Sequence, residues 1–213
     1  MNAPTPVSGT AANAGRATVA ALFLIALLNY VDRSILAILQ EPIKRDLGLS
    51  DTQLGALTGI SFALLYATLA IPVARFADRT HRTRLLAASV GLWSLMTALV
   101  HWTSCFWTLV LLRMGVALGE AGSGPISHSL IGDVVPAERR GRALAVMALA
   151  VPAGTMLGFL SAGWISTALG WRETFLLLGL VGMAATPFVW RMREPARQVM
   201  GEKADEAGLG AHT

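Results

Sequence analysis

Residues 17–40 read ATVAALFLIALLNYVDRSILAILQ, an apolar run whose only charged members are Asp32 and Arg33. A helix needs about 20 such residues, at about 1.5 Å rise each, to cross the hydrocarbon core of a bilayer. Working outward, five further apolar blocks of similar length follow, near residues 53–74, 84–104, 107–131, 142–168 and 171–191, joined by short charged connectors. Composition agrees: 54% of the residues are hydrophobic and 14% charged, where soluble domains carry about 25% charged. A barrel is excluded, because bilayer-crossing strands are only about 9–11 residues long and alternate in polarity. The sequence therefore predicts an all-α integral membrane fold of six transmembrane helices.

The flanks read differently. Residues 1–16 are small, polar and Pro-containing, and predict a disordered tail; they lack the basic start of a signal peptide. Residues 192–213 gain Glu194, Glu202, Lys203, Asp205 and Glu206 and predict a solvated linker or tail. The bundle proper is expected over 17–191.

Basic residues fix the orientation, since Lys and Arg near span ends collect on the cytoplasmic side. With the N-terminus inside, the inner segments hold Arg16, Arg75, Arg79, Arg82, Arg84, Arg139, Arg140, Arg142, Arg191, Arg193, Arg197 and Lys203, twelve of the seventeen basic residues. The outer segments hold Lys44, Arg45 and Arg172. A multi-pass protein of the inner (plasma) membrane with both termini cytoplasmic follows. The net charge of +4 belongs to these connectors and not to a nucleic-acid surface.

Small residues let helices approach closely in lipid, and the spans carry Gly55/Gly59, Gly115/Gly119 and Gly154/Gly158 as GxxxG pairs. Pro125, Pro152 and Pro187 lie inside predicted spans, where a missing backbone donor favours a kink.

Charges within the spans carry the functional reading, because each costs at least about 2.5–3.5 kcal/mol at mid-bilayer. Asp32 and Arg33 lie in the first span, Arg113 and Glu120 in the fourth. Asp32 stands roughly 22 Å from the inner side and Arg113 roughly 9 Å below the outer edge of a core about 30 Å thick, so the two share a depth. Glu120 follows two turns after Arg113 on the same face. Two readings stay open: the charges neutralise one another and lock the fold, or they form a polar pathway with a titratable carboxylate and a cationic anchor.

Other groups offer less. The single cysteine, Cys105, permits no intramolecular disulfide. His101 and His128 have no partner fixed by spacing and read as structural. Ser123, in EAGSGP, lacks the order and the histidine of a membrane-embedded serine enzyme. The tryptophans fall mostly near span ends, as an aromatic belt requires. Neither a nucleophile–base pair nor a set of metal ligands converges, so no enzyme, metal or cofactor is expected.

The connector ARFADRTHRTR, Ala74 to Arg84, resembles the G-x-L-A-D-R-x-G-R-[RK] motif of the major facilitator superfamily, with Asp78, Arg79 and Arg82 on its charged positions. It departs at Ala74, His81 and Thr83. RMGVALGEAG (Arg113 to Gly122), PAERRGRALA (Pro136 to Ala145) and GWRETF (Gly170 to Phe175) are similar to further elements of that superfamily. LNYVDR (Leu28 to Arg33) with GEAG looks most like its spinster-type branch, whose members are linked to lysolipid and sphingoid-lipid export or to uptake of organic molecules. The resemblance implies one bundle of 3+3 inverted repeats, the N-terminal half of a secondary transporter working by alternating access. It implies a small organic or lipid-like substrate, proton coupling through Asp32, Arg113, Glu120 and Arg33, and an inner gate of Asp78, Arg79 and Arg82 paired across to a second half. That half is a missing C-terminal bundle or a second copy; an inactive regulatory fragment is the alternative.

Overall fold

The computed structural model describes residues 9–59 and 80–195, with Thr68, Pro72 and Arg75 between them; side chains are described from residue 15 onward. Eight α-helices are seen among these residues: α1 (Gly9–Leu47), α2 (Asp51–Thr58), α3 (Arg82–Leu99), α4 (Phe106–Ala121), α5 (Ser123–Val134), α6 (Ala137–Ala148), α7 (Ala150–Leu169) and α8 (Trp171–Trp190). Five stretches are long and apolar enough to cross a membrane: Gly15–Leu47, Arg82–Trp102, Phe106–Val134, Ala137–Leu169 and Trp171–Trp190. The second expected span, 53–74, is described as a helix only at α2; most of it lies outside the described residues.

Helix ends follow local chemistry. Gly48, at φ 62°, closes α1 in a left-handed turn, and the Leu49 N–H donates to the Lys44 carbonyl at 3.0 Å, the bond of a Schellman cap. Ser50 and Gln53 then exchange side-chain and backbone hydrogen bonds to start α2. Helix α1 begins at Gly9, well before the boundary expected at residue 17, and α6 begins at Ala137 where 142 was expected. The Arg-rich PAERRGR stretch is thus largely helical, with Arg140 donating to the carbonyls of Val135 (3.1 Å) and Gly132 (2.6 Å) at the end of α5.

Two of the three prolines act as expected. A proline removes the bond to the carbonyl four residues back and crowds it. For Pro125 and Pro152 those carbonyls belong to Ala121 and Ala148, where α4 and α6 end. Spans four and five are therefore each two helices. Pro187 sits inside α8 without dividing it.

Helix α3 packs most extensively on α8, α1 on α7, and α3 on α4. This is the pairing a 3+3 repeat demands: exchanging the first three spans for the last three maps the pair 3·6 onto itself and 1·5 onto 4·2, and α2 does touch α4. Glycines make the approach. A Cβ on Gly154 would lie 2.7 Å from the Leu27 carbonyl oxygen, and one on Gly119 would lie 2.8 Å from the Trp93 nitrogen. Gly158 faces Val31, and Gly115 faces Met96. Two of the GxxxG pairs thus join helices of one bundle. The third does not: Gly55 meets nothing within 4 Å, and Gly59 meets only its own helix among the described residues.

The interior has two apolar cores. One gathers Leu22, Ile25, Leu86, Val90, Trp93, Val116 and Leu130, so Trp93 is a core residue and not part of the aromatic belt. The other gathers Val31, Ile35, Leu39, Val100, Leu109 and Phe175. The first core lies toward the Arg82 end of α3 and the second toward the opposite end.

Candidate functional site

Between the two cores runs a polar layer. On α1 it falls between Ile25 and Ile35, on α3 between Trp93 and Val100, and on α4 at and below Leu109. Asp32, Thr97, Arg113 and Glu120 occupy it and all four are buried. Arg113 Nη1 lies 3.6 Å from Asp32 Oδ2, so the pair expected from matched depth does meet. Helices α1 and α4, three spans apart in sequence, bring the opposite charges together at the level where lipid would tolerate neither alone.

Thr97 holds the other side of the same carboxylate, its hydroxyl donating to Asp32 Oδ1 at 2.6 Å. Sequence reasoning passed over Thr97, since nothing marks it among the Ser and Thr residues of α3. A second acid–base pair lies beside the first: Arg33 Nε donates to Glu120 Oε2 at 2.7 Å. Spacing had placed Glu120 on the face of Arg113, and α1 answers with adjacent Asp32 and Arg33, one for each partner. Arg33 is 26% exposed, and its guanidinium also lies 5.6 Å from the centre of the Tyr30 ring, a cation–π distance. Three buried atoms in or beside this layer, Asp32 Oδ2, Glu120 Oε1 and Asn29 Nδ2, have no hydrogen-bond partner among the described residues.

The remaining candidates sort clearly. Ser123 donates to the Glu120 carbonyl at 2.9 Å, a bond within the chain's own turn. His128 is exposed, and the His101 ring meets Trp102 edge-on. Asp78 and Arg79 lie outside the described residues.

Arg82 is bonded on several sides. Its Nη1 donates to Asp133 Oδ2 at 2.5 Å and to Ser129 Oγ at 2.9 Å, its Nε to Glu194 Oε1 at 2.9 Å, and its Nη2 to the Pro195 carbonyl at 3.2 Å. This guanidinium is buried and engaged inside its own bundle. Glu194 also accepts from the Thr83 backbone N–H and hydroxyl, both at 2.8 Å. Partial burial opposes ionisation of Glu194, but the bonds from Thr83 and Arg82 outweigh it and hold its carboxyl below the usual glutamate range. Glu194, read from composition as a solvated-tail residue, is thus the tether between the end of α8 and the start of α3.

Apolar spans closed around buried acid–base pairs define a polytopic membrane protein with a polar layer through its centre. The chain belongs to the major facilitator superfamily, whose family model matches residues 22–211. It is 40% identical over 81% of its length to an MFS-type efflux pump of Mycolicibacterium smegmatis, covering 40% of that protein. It is 34% identical over 86% of its length to protein spinster homolog 1 of Xenopus tropicalis, covering 36% of it. Among solved structures, it superposes with a TM-score of 0.82 and 30% identity on a bacterial homolog of the human lysosomal transporter Spinster, in an inward-facing and unoccupied conformation. That match covers 92% of this chain and 49% of the other. The chain thus spans between about a third and a half of the length of these relatives.

Proposed function

We propose that this chain is the N-terminal half of a proton-coupled secondary transporter that moves a small organic or amphipathic, lipid-like solute by alternating access. The observation that carries this reading is the pair of buried acid–base contacts, Asp32–Arg113 and Arg33–Glu120, set side by side between two apolar cores. Four ionisable groups at mid-membrane depth are costly, and such groups mark ion and substrate routes.

In this reading Asp32 is the proton-titrating carboxylate and Arg113 its counter-ion. A proton on Asp32 cancels the charge that holds Arg113, and the guanidinium is then available to an anionic substrate group or to a rearranged helix contact. That supplies the difference in interaction between two states that any coupled transporter requires. Glu120 and Arg33 form a second proton or substrate contact, with the partly exposed Arg33 on the more accessible side. Asp78, Arg79 and Arg82 belong to the inner gate, Arg82 bracing it from within this bundle. The distribution of basic residues supports an inner-membrane orientation with both termini cytoplasmic. Similarity to a named efflux pump and to spinster proteins supports a transport role.

The test is flux through liposomes containing the longer protein that carries this half. An amphipathic substrate should accumulate under an imposed pH gradient and lose that accumulation when a protonophore collapses the gradient. Accumulation indifferent to the protonophore would remove proton coupling from the account. The 213-residue chain alone supplies one wall of a central cavity and should give no saturable flux as a monomer.

A further inference from the structure

We propose that the Arg82 end of the α3–α8 pair is a binding site for an anionic phospholipid headgroup, held by Arg84, Arg191 and Arg193. The register of the two helices carries the proposal. Gly91 faces Thr186, Gly182 faces Ser94 and Gly179 faces Ala98, so the helices run antiparallel, and the hydrogen bonds from Arg82 and Thr83 to Glu194 continue the same line past the helix ends. On that line Arg84 stands level with Arg191 and Arg193 to within about 3 Å along the axis. Packed helices are about 8–10 Å apart, a spacing that long arginine side chains can bridge around one phosphate.

All three arginines are exposed. Met192, between the two just past the end of α8, packs inward on the core, which leaves Arg191 and Arg193 on the outside. None of the three side chains has an ion pair or hydrogen bond among the described residues. Among the described residues, the acids nearest in register are already engaged, since Glu194 and Asp133 both receive Arg82. Immediately toward the membrane centre, Trp190 (55% exposed) projects from α8. An exposed tryptophan beneath a cluster of guanidiniums is the arrangement of a headgroup boundary: the ring sits at the interface, and the planar forks match phosphate oxygens in pairs. The ligand is therefore lipid-borne phosphate, with its acyl chains along Trp190, which follows Thr186 by one turn on the face toward α3.

Native mass spectrometry of the detergent-purified chain, with phosphatidylglycerol and phosphatidylcholine of equal acyl length added in competition, tests this directly. The chain should retain phosphatidylglycerol, and R84Q/R191Q/R193Q should lower that retention about tenfold or more, given the attraction of each basic residue to an anionic surface. A charge-matched control, R16Q/R139Q/R142Q, should change it little, and R84K/R191K/R193K, which keeps the charge but not the planar fork, should recover part of it, which separates lost binding from lost folding. Equal loss in both glutamine triples, equal retention of phosphatidylcholine, or displacement by millimolar inorganic phosphate would overturn the site.

Discussion

Two charged regions of this molecule use the same residue types in opposite ways. At the Arg82 end, one guanidinium serves four acceptors at hydrogen-bonding distance, and its acid Glu194 is bonded from three directions. In the polar layer, Arg113 stands 3.6 Å from Asp32, and Asp32 Oδ2 and Glu120 Oε1 are buried without hydrogen bonds among the described residues. A buried acceptor left unsatisfied costs about 1–3 kcal/mol. A network closed on every side holds a shape; one with open acceptors can be re-paired by a proton or a ligand at little further cost. The difference sets a brace, closed at the Arg82 end, against a polar layer whose open acceptors suit the switch proposed for it.

The largest effect expected from breaking this contrast is at the brace. Arg82→Ala leaves Asp133 and Glu194 without their shared cation and should destabilise the bundle by about 3–5 kcal/mol, the usual cost of removing one member of a buried pair. Thermal unfolding in detergent would measure it, and a shift no greater than that of an exposed-arginine control would show the cluster is not a brace. Next is the α1–α7 contact that carries Asp32. A Cβ on Gly158 would lie 2.9 Å from the Val31 carbonyl oxygen, so Gly158→Val should cost about 1–3 kcal/mol through overpacking. Gly163→Ala, with nothing within 4 Å, should be neutral or slightly stabilising.

Of similar size is Thr97→Val, which removes the bond to Asp32 Oδ1, leaves that buried oxygen unsatisfied and should cost about 1–3 kcal/mol. If the polar layer is the switch, this substitution should also move the pH dependence of transport; an unmoved profile would weaken the layer's role. The smallest effect is a pH response at the brace. Because the folded-state value of Glu194 lies below its ordinary one, its stabilisation is fully present above about pH 4.3 and is lost only as pH falls through the depressed value. Glu194→Gln should therefore flatten the acid limb of a stability-versus-pH curve and leave its difference from the parent constant at neutral pH.

How much of this was legible depended on which solvent set the rule. Six apolar blocks declare six helices because lipid leaves backbone groups no other way to be satisfied. The meeting of Asp32 with Arg113 followed from rise per residue, since opposite charges at one depth have strong reason to pair. The positions of Pro125 and Pro152 gave the breaks in spans four and five, four residues ahead of each ring. The brace was not legible, because Arg82 finds Asp133 and Glu194 at separations of 51 and 112 residues, in connectors where water permits many pairings. Thr97 was hidden for another reason: a hydroxyl in a span can always bond its own helix, so its sequence position does not reveal a distant partner.

The central claim is that Asp32 carries the coupling proton, and the most direct measurement is substrate flux in proteoliposomes, with and without an imposed pH gradient, for the longer protein bearing Asp32→Asn. The asparagine stands in for the protonated carboxylate. The account predicts that substrate still binds and exchanges across the membrane while gradient-driven accumulation is lost. An Asp32→Asn protein that accumulates substrate in response to the gradient as the parent does would contradict it, and would leave the Asp32–Arg113 pair as a structural contact.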